Sequence, residues 1–184
     1  MIKLTKNNVV VLNNEANAFI NTNKLSVSIA RNMFEVEEAQ RLRFKVFAED
    51  CKKNKVDHIF IGGDIFHTKT TGISPEYIDQ LTWWLDLLSS VAPVHLTLGN
   101  HDGNLINLSR QDAVSPVVAA LNNPRIRLYK KSGVYEIQDG YNLCVYSLFD
   151  EENWSSVKPE KNKTNIAAYH GPVHGSKTEV GWEL

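Results

Sequence analysis

Cysteine is scarce: Cys51 and Cys144 are the only two in 184 residues, and their separation is not that of a metal-binding pair. A disulfide-framed secreted fold and a Cys-ligated zinc module are thereby excluded, and both thiols read as reduced. The chain also lacks a surplus of charge, with 20 Lys and Arg against 21 Asp and Glu and a net charge of -1. No global positive field is available to hold a polyanion, so binding one would need a local patch or a partner. No apolar run approaches the length of a membrane span, and the N-terminal "MIKLTKNNVVVLNNEANAF" has neither the apolar core nor the small-residue cleavage site of a secretory signal. A cytoplasmic protein is the expectation. Internal repeats and low-complexity tracts are missing as well. What is present is a composition 42% hydrophobic over a length that suits one compact domain with a real core.

From about Lys55 onward, short apolar runs alternate with helical patterns, the mark of a layered α/β sheet. "HIFIGG" (58–63), "VHLTLG" (94–99), "LCVYSLF" (143–149) and "NIAAYHG" (165–171) read as strands. Between the first two, Ser74 suits an N-cap and Pro75 a first helical position, and Tyr77, Leu81, Trp84, Leu85 and Leu88 fall on one face. "SPVVAALNN" predicts a shorter helix. "RIRLYKKSGVYEIQDGYNLCVYSL" predicts three successive short strands broken at Lys-Ser-Gly and Asp-Gly, and "EENWSSVKPEKNKTN" a polar connecting loop. Upstream, residues 34–53 predict a helix with Ala39, Leu42, Val46 and Phe47 inward. "NVVVL" and "LSVSIA" are candidate strands, with a loop or hairpin between them.

Three of the strands share one design, in which an apolar run delivers a polar residue at its carboxyl end. "HIFIGG" is followed by Asp64, "VHLTLG" by Asn100, His101 and Asp102, and "NIAAY" by His170. In open α/β sheets the carboxyl ends of the strands line the ligand crevice, so Asp64, Asn100 and His170 are expected to converge. A carboxylate, an amide oxygen and an imidazole together suit Mn, Fe or Zn. Gly62, Gly63, Gly99 and Gly171 flank these positions, where a missing Cβ permits sharp turns and close approach. His58 and His95 lie inside the strands ahead of the motifs and read as structural, as do Trp83 and Trp84 on the helix. His174 reads as a polar loop residue.

"GGDIFH", "GNHD" and "YHGPVHG" resemble the successive motifs of the calcineurin-like metallophosphoesterases. The "HGPVHGSKTEVG" context makes them most similar to the DNA-repair exonuclease branch, the SbcCD-type nuclease subunits and their phage relatives. The resemblance covers residues 52–184 and implies a layered metallophosphoesterase-like β-sandwich flanked by helices, within an α/β fold. It implies a single domain over 1–184, with 1–33 an atypical N-terminal segment and 34–184 the recognisable phosphoesterase core. By the same resemblance Asp64 would bridge two divalent ions, Mn first among candidates, and Asn100 and His170 would ligate the second. His101 would face the phosphate as a general acid, and Asp102 would orient its ring. Two ions of this kind activate a water between them and clamp an in-line displacement. His67 would either support the bridging carboxylate or stand exposed on a loop. DNA is the implied substrate, an ATPase subunit and a second copy of the chain the implied partners.

Two family motifs are not found. The first, Asp-x-His, aligns near "VSIARNMF", where Arg31 and Asn32 stand, and the closing Gly-His-x-His does not occur before Leu184. The first ion would then keep only Asp64, and the sandwich would be incomplete at its C-terminal end. "IARNMFEVEEAQRLRFKVFAED" is also similar to the opening strand and helix of acetyltransferase-like enzymes, but no glycine-rich loop follows to cradle a pyrophosphate. Two functions are therefore expected: metal-dependent phosphodiester hydrolysis of the DNA-nuclease type, weak or inactive in this form, or a catalytically degenerate module that binds nucleic acid or a partner subunit.

Overall fold

A computed structural model describes residues 21–22, 25–26, 33–66, 72–173 and 175. The chain divides into two compact units, Met1–Lys45 and Val46–Leu184. In the first, β1 (Asn21–Thr22) and β2 (Leu25–Ser26) form a two-stranded antiparallel hairpin, where the sequence predicts a loop or hairpin followed by "LSVSIA". The expected strand "NVVVL", the rest of "LSVSIA" and the Arg31-Asn32 positions lie outside the described residues, as do His67 and His174. Helix α1 (Met33–Lys53) starts in the first unit and ends in the second. Its length matches the prediction, but its inward face does not. Ala48 and Cys51 are buried with Phe47 against them, whereas Leu42 and Val46 are exposed. The buried side chains follow Phe47, Ala48 and Cys51, one helical step round from Leu42 and Val46.

In the second unit, β3 (Ile59–Ile61), β4 (Val94–Thr97) and β5 (Ile126–Tyr129) form a parallel sheet in the order β3-β4-β5. Ile59, Val94 and Ile126 stand side by side across it. Every residue of β4 is buried, as expected of the central strand of a parallel sheet, the polar His95 and Thr97 included. Helix α2 (Pro75–Val91) joins β3 to β4, and its Leu81, Leu85 and Leu88 enter the same core as Val94, Leu96 and Leu98. Leu85 and Leu88 are wholly buried, each contributing roughly 1.5–3 kcal/mol of transfer free energy. Tyr77, expected on that face, is half exposed at the first turn of α2, N-terminal to the buried stripe.

After α3 (Ser115–Leu121) and β5, the chain enters a second sheet of β6 (Gly133–Gln138), β7 (Tyr141–Tyr146) and β8 (Thr164–Tyr169). The three strands predicted in succession are thus shared between two sheets: β5 pairs with β4, while β6 pairs antiparallel with β7 through the Asp139-Gly140 turn. The crossing is pinned by buried Asp150, whose carboxylate accepts from Lys131 Nζ and the Ser132 amide. The polar segment read as a loop contains a 3-10 turn (Glu151–Ser156) and returns the chain as β8, parallel to β7. The result is a mixed α/β fold of two small sheets with helices. Among the described residues, no helix is long and apolar enough to cross a membrane.

Candidate metal centre

β3 and β4 end beside each other, and the turns that leave them are packed too closely for side chains. Gly63 has φ +92, and a Cβ on it would overlap the backbone of Gly99; a Cβ on Gly99 would overlap the backbone nitrogen and carboxylate of Asp64. Glycine is needed at both because two turns occupy one space. Asp64 itself holds a left-handed φ of +53, a conformation that costs a non-glycine residue about 1 kcal/mol or more unless its surroundings impose it.

The surroundings of Asp64 are specific. Its Oδ1 accepts the backbone N–H of His101 at 3.0 Å, and its Oδ2 lies 3.3 Å from His170 Nε2. The same Nε2 lies 3.1 Å from Asn100 Oδ1. Asp64, Asn100 and His170, delivered by three different strand ends, therefore meet. The side chains of Asp64 and His170 keep 35% and 22% of their surface open, so the cluster faces solvent on one side.

The fourth contact decides what this cluster can hold. His170 Nδ1 sits 2.7 Å from the carbonyl oxygen of Gly62, which can only accept, so Nδ1 carries the ring proton. In the neutral ring Nε2 is then a lone pair aimed at two oxygens that are also lone pairs. Three acceptors converging repel one another, and a proton on Nε2 or a cation placed among them relieves that repulsion. At separations of 3.1 and 3.3 Å, the imidazole nitrogen, the carboxylate and the amide oxygen are close enough that all three could hold one divalent ion. A backbone carbonyl holding the far nitrogen of an imidazole is also how ligand histidines are commonly oriented. The residues present thus fit a divalent cation. Among the described residues no three His, Cys, Asp or Glu side chains cluster as an ion site; this set consists of two such groups and an amide.

Asp102, expected beside the His101 ring, is 1% exposed and has both carboxylate oxygens on backbone amides. Oδ2 accepts from Gly99 at 2.8 Å and Oδ1 from Phe66 at 3.0 Å. Burial pushes its carboxyl above the usual range and the charge of Asp64 adds to this, while the Gly99 and Phe66 amides oppose both. His101 is half-buried, its backbone fixed by Asp64. The sequence marks the polar positions but gives no sign of these backbone partners; the only local trace is the run of glycines that lets the two turns touch.

His58 and His95, read as structural, lie at the other end of the same strands. His95 is buried between His58 and Tyr129, with His58 Nδ1 3.0 Å from His95 Nε2 and His95 Nδ1 2.8 Å from Tyr129 Oη. His58 Nε2 reaches Gln138 Oε1 at 3.1 Å.

Comparison with known proteins places these residues in context. The family model described as calcineurin-like phosphoesterase matches residues 37–184, a stretch that contains Asp64, Asn100, His101, Asp102 and His170. An uncharacterized protein of Acanthamoeba polyphaga mimivirus, R555, is 37% identical over 163 residues, covering 82% of this chain. The chain spans 12% of the length of that relative. With most of its length and every residue of the candidate centre inside the match, the chain belongs to the calcineurin-like phosphoesterase family.

Proposed function

We propose that this chain hydrolyses phosphodiesters with the help of a divalent ion, Mn first among candidates, held by Asp64, Asn100 and His170, and that its substrate is DNA. The observation that carries the ion site is the ring of His170: with Nδ1 donating to the Gly62 carbonyl, Nε2 of the neutral ring converges as an acceptor on Asp64 Oδ2 and Asn100 Oδ1. Family membership supports phosphoester chemistry. The "HGPVHG" context, which resembles the DNA-repair exonuclease branch, supports DNA among phosphodiesters.

An ion there would serve as a Lewis acid toward a phosphoryl oxygen. The chain's own residues supply the rest. His170 and Asn100 are held by β8 and by the turn after β4, so the ligand set is rigid before substrate arrives. His101 follows Asn100 directly, and its backbone N–H is tied to Asp64, which keeps residue 101 next to the proposed ligand set. In the proposed step water attacks the phosphorus and releases a proton to solvent, and the His101 ring gives a proton to the leaving oxygen as its bond to phosphorus breaks. A second reading, a degenerate module that binds nucleic acid or a partner subunit without cleaving, is favoured by the small ligand set: two ionisable side chains and an amide.

The two readings part on one experiment. With Mn2+ the wild-type protein should hydrolyse bis(p-nitrophenyl) phosphate and end-labelled DNA, and both activities should vanish in Asp64→Asn and fall at least a hundredfold in His101→Ala. DNA bound but not cut at any Mn2+ concentration supports the module and defeats the hydrolase. Hydrolysis of the small diester without DNA cleavage keeps the phosphodiesterase and removes DNA as its substrate.

A further inference from the structure

The two turns at the candidate centre exchange carboxylates. Asp64, on the turn after β3, accepts the N–H of His101 on the turn after β4; Asp102, on the turn after β4, accepts the N–H of Phe66 on the turn after β3. The two bonds are equal at 3.0 Å and run in opposite directions across one gap. Asp102 is the better anchored partner. It is buried, its second oxygen takes the Gly99 amide at 2.8 Å, its own N–H donates to the Gly99 carbonyl, and its carbonyl accepts from Ala113 at 2.8 Å. Asp64 is the exposed partner, and it carries the left-handed φ.

From this geometry we infer that Asp102 is a positioning residue for Asp64, the buried half of a reciprocal clasp that holds the ion-binding carboxylate in its strained conformation with Oδ2 turned toward His170. The inference rests on the ion site proposed above. The clasp works because each link shortens the other's search. When the Phe66 amide is held by Asp102, residues 64–66 cannot swing away, and the Asp64 carboxylate stays within reach of the His101 amide. When Asp64 holds His101, residue 102 keeps its approach to Phe66. Two hydrogen bonds that close one ring of chain are cooperative, since the ordering of the turns is met once for both. The ligand oxygen is then presented by a preorganised backbone, as outer partners commonly present metal ligands. A carboxylate is required at 102 because both of its oxygens face N–H donors. In Asp102→Asn one oxygen becomes an NH2 group facing an N–H, and one of the two turns must let go.

Amide hydrogen exchange read by NMR on the full chain tests the clasp without any metal. In Asp102→Asn, exchange should speed at least tenfold at Phe66 and also at His101, whose amide Asp102 does not touch. Asp64→Ala, at a position open enough to spare the fold, opens the clasp from the other side and should speed exchange at Phe66. Calorimetric titration with Mn2+ alone supplies the functional readout: Asp102→Asn should weaken the ion by roughly 10- to 100-fold, with saturation still reached at high concentration, whereas loss of a ligand abolishes uptake. If Phe66 remains protected in Asp64→Ala, or His101 in a folded Asp102→Asn, the two bonds are independent and the clasp is overturned. Mn2+ affinity unchanged in a folded Asp102→Asn overturns its role for Asp64. A wild-type protein that binds no Mn2+ overturns the ion site instead, and coupled exchange then still supports the clasp.

Discussion

A histidine lies in a polar cluster at each end of β3 and β4, His95 with His58 at one and His170, from the end of β8, at the other, and the two clusters are built on opposite principles. At the amino end, Tyr129, His95, His58 and Gln138 form a chain that one set of neutral tautomers satisfies. Tyr129 donates to His95 Nδ1, His95 Nε2 donates to His58 Nδ1, and His58 Nε2 donates to Gln138 Oε1. Every nitrogen has a complementary partner, and nothing further is required. At the carboxyl end, a neutral His170 ring gives its proton to the Gly62 carbonyl and turns Nε2, an acceptor, toward Asp64 Oδ2 and Asn100 Oδ1. Histidine near histidine says little about function. The balance of donors against acceptors separates a cluster satisfied within the fold from one whose converging acceptors a cation would satisfy.

Removing a member of the unbalanced cluster should therefore abolish binding at small cost to stability. In His170→Ala, calorimetric uptake of Mn2+ is expected to disappear, along with hydrolysis. The melting temperature should move by less than about 2 °C, because the side chain is partly exposed and its loss relieves a repulsion while creating no buried orphan. Uptake that survives this substitution would place the ion elsewhere and dissolve the contrast between the two ends.

How much of this contrast the sequence carries differs from element to element. The polar residues at the ends of "HIFIGG", "VHLTLG" and "NIAAY" are visible because each apolar run stops abruptly on Asp, Asn or His, although only β4 is buried throughout, and the structure brings Asp64, Asn100 and His170 together. The α2 stripe through Leu81, Leu85 and Leu88 is legible from its 3.6-residue period. The inward face of α1 is not, because the helix offers two weakly apolar faces and only packing in three dimensions selects Phe47, Ala48 and Cys51 over Leu42 and Val46. The division of β5 and β6 between two sheets is likewise a matter of pairing partners, which short strands do not announce. Backbone partners are the least legible of all. Gly62 O, Phe66 N and the His101 amide have no side-chain identity to read, yet they fix the tautomer of His170 and the carboxylates of Asp102 and Asp64.

A second way to sharpen the contrast is acid. Burial above all, helped by the neighbouring His58 and by Arg127, pushes His95 from its ordinary value of 6.5 down to about 4. The unfolded chain therefore takes up this proton near 6.5, and the native one only near 4. Between those values the unfolded state holds more protons, so stability is full above about pH 6.5 and declines as pH falls toward 4, where the loss levels off. The decline attributable to His95 is on the order of 3 kcal/mol, a drop in melting temperature of roughly 6–12 °C for a chain of this size. Denaturant melts at pH 7 and pH 5 capture about 2 kcal/mol of it, the share lost between 6.5 and 5. In His95→Phe the difference between the two pH values should shrink, since the titrating group is gone. An unchanged difference would assign the acid sensitivity to other groups.

The smallest expected effect separates the two links of the neutral chain. His58 is only partly buried, so in His58→Ala water reaches the space it leaves and can accept from His95 Nε2. The cost at pH 7 should be about 1 kcal/mol, the worth of one net hydrogen bond, with Mn2+ uptake unchanged because the substitution lies at the opposite end of the strands. The pH dependence should change as well. His58 is the second-largest influence holding His95 down, after burial, so its removal lets the folded-state value rise toward that of the unfolded chain. The interval over which the unfolded state holds the extra proton then narrows, and the variant should lose less stability between pH 7 and pH 5 than the wild type does. A variant destabilised equally at both pH values would show that His58 contributes a hydrogen bond but no electrostatic coupling to His95.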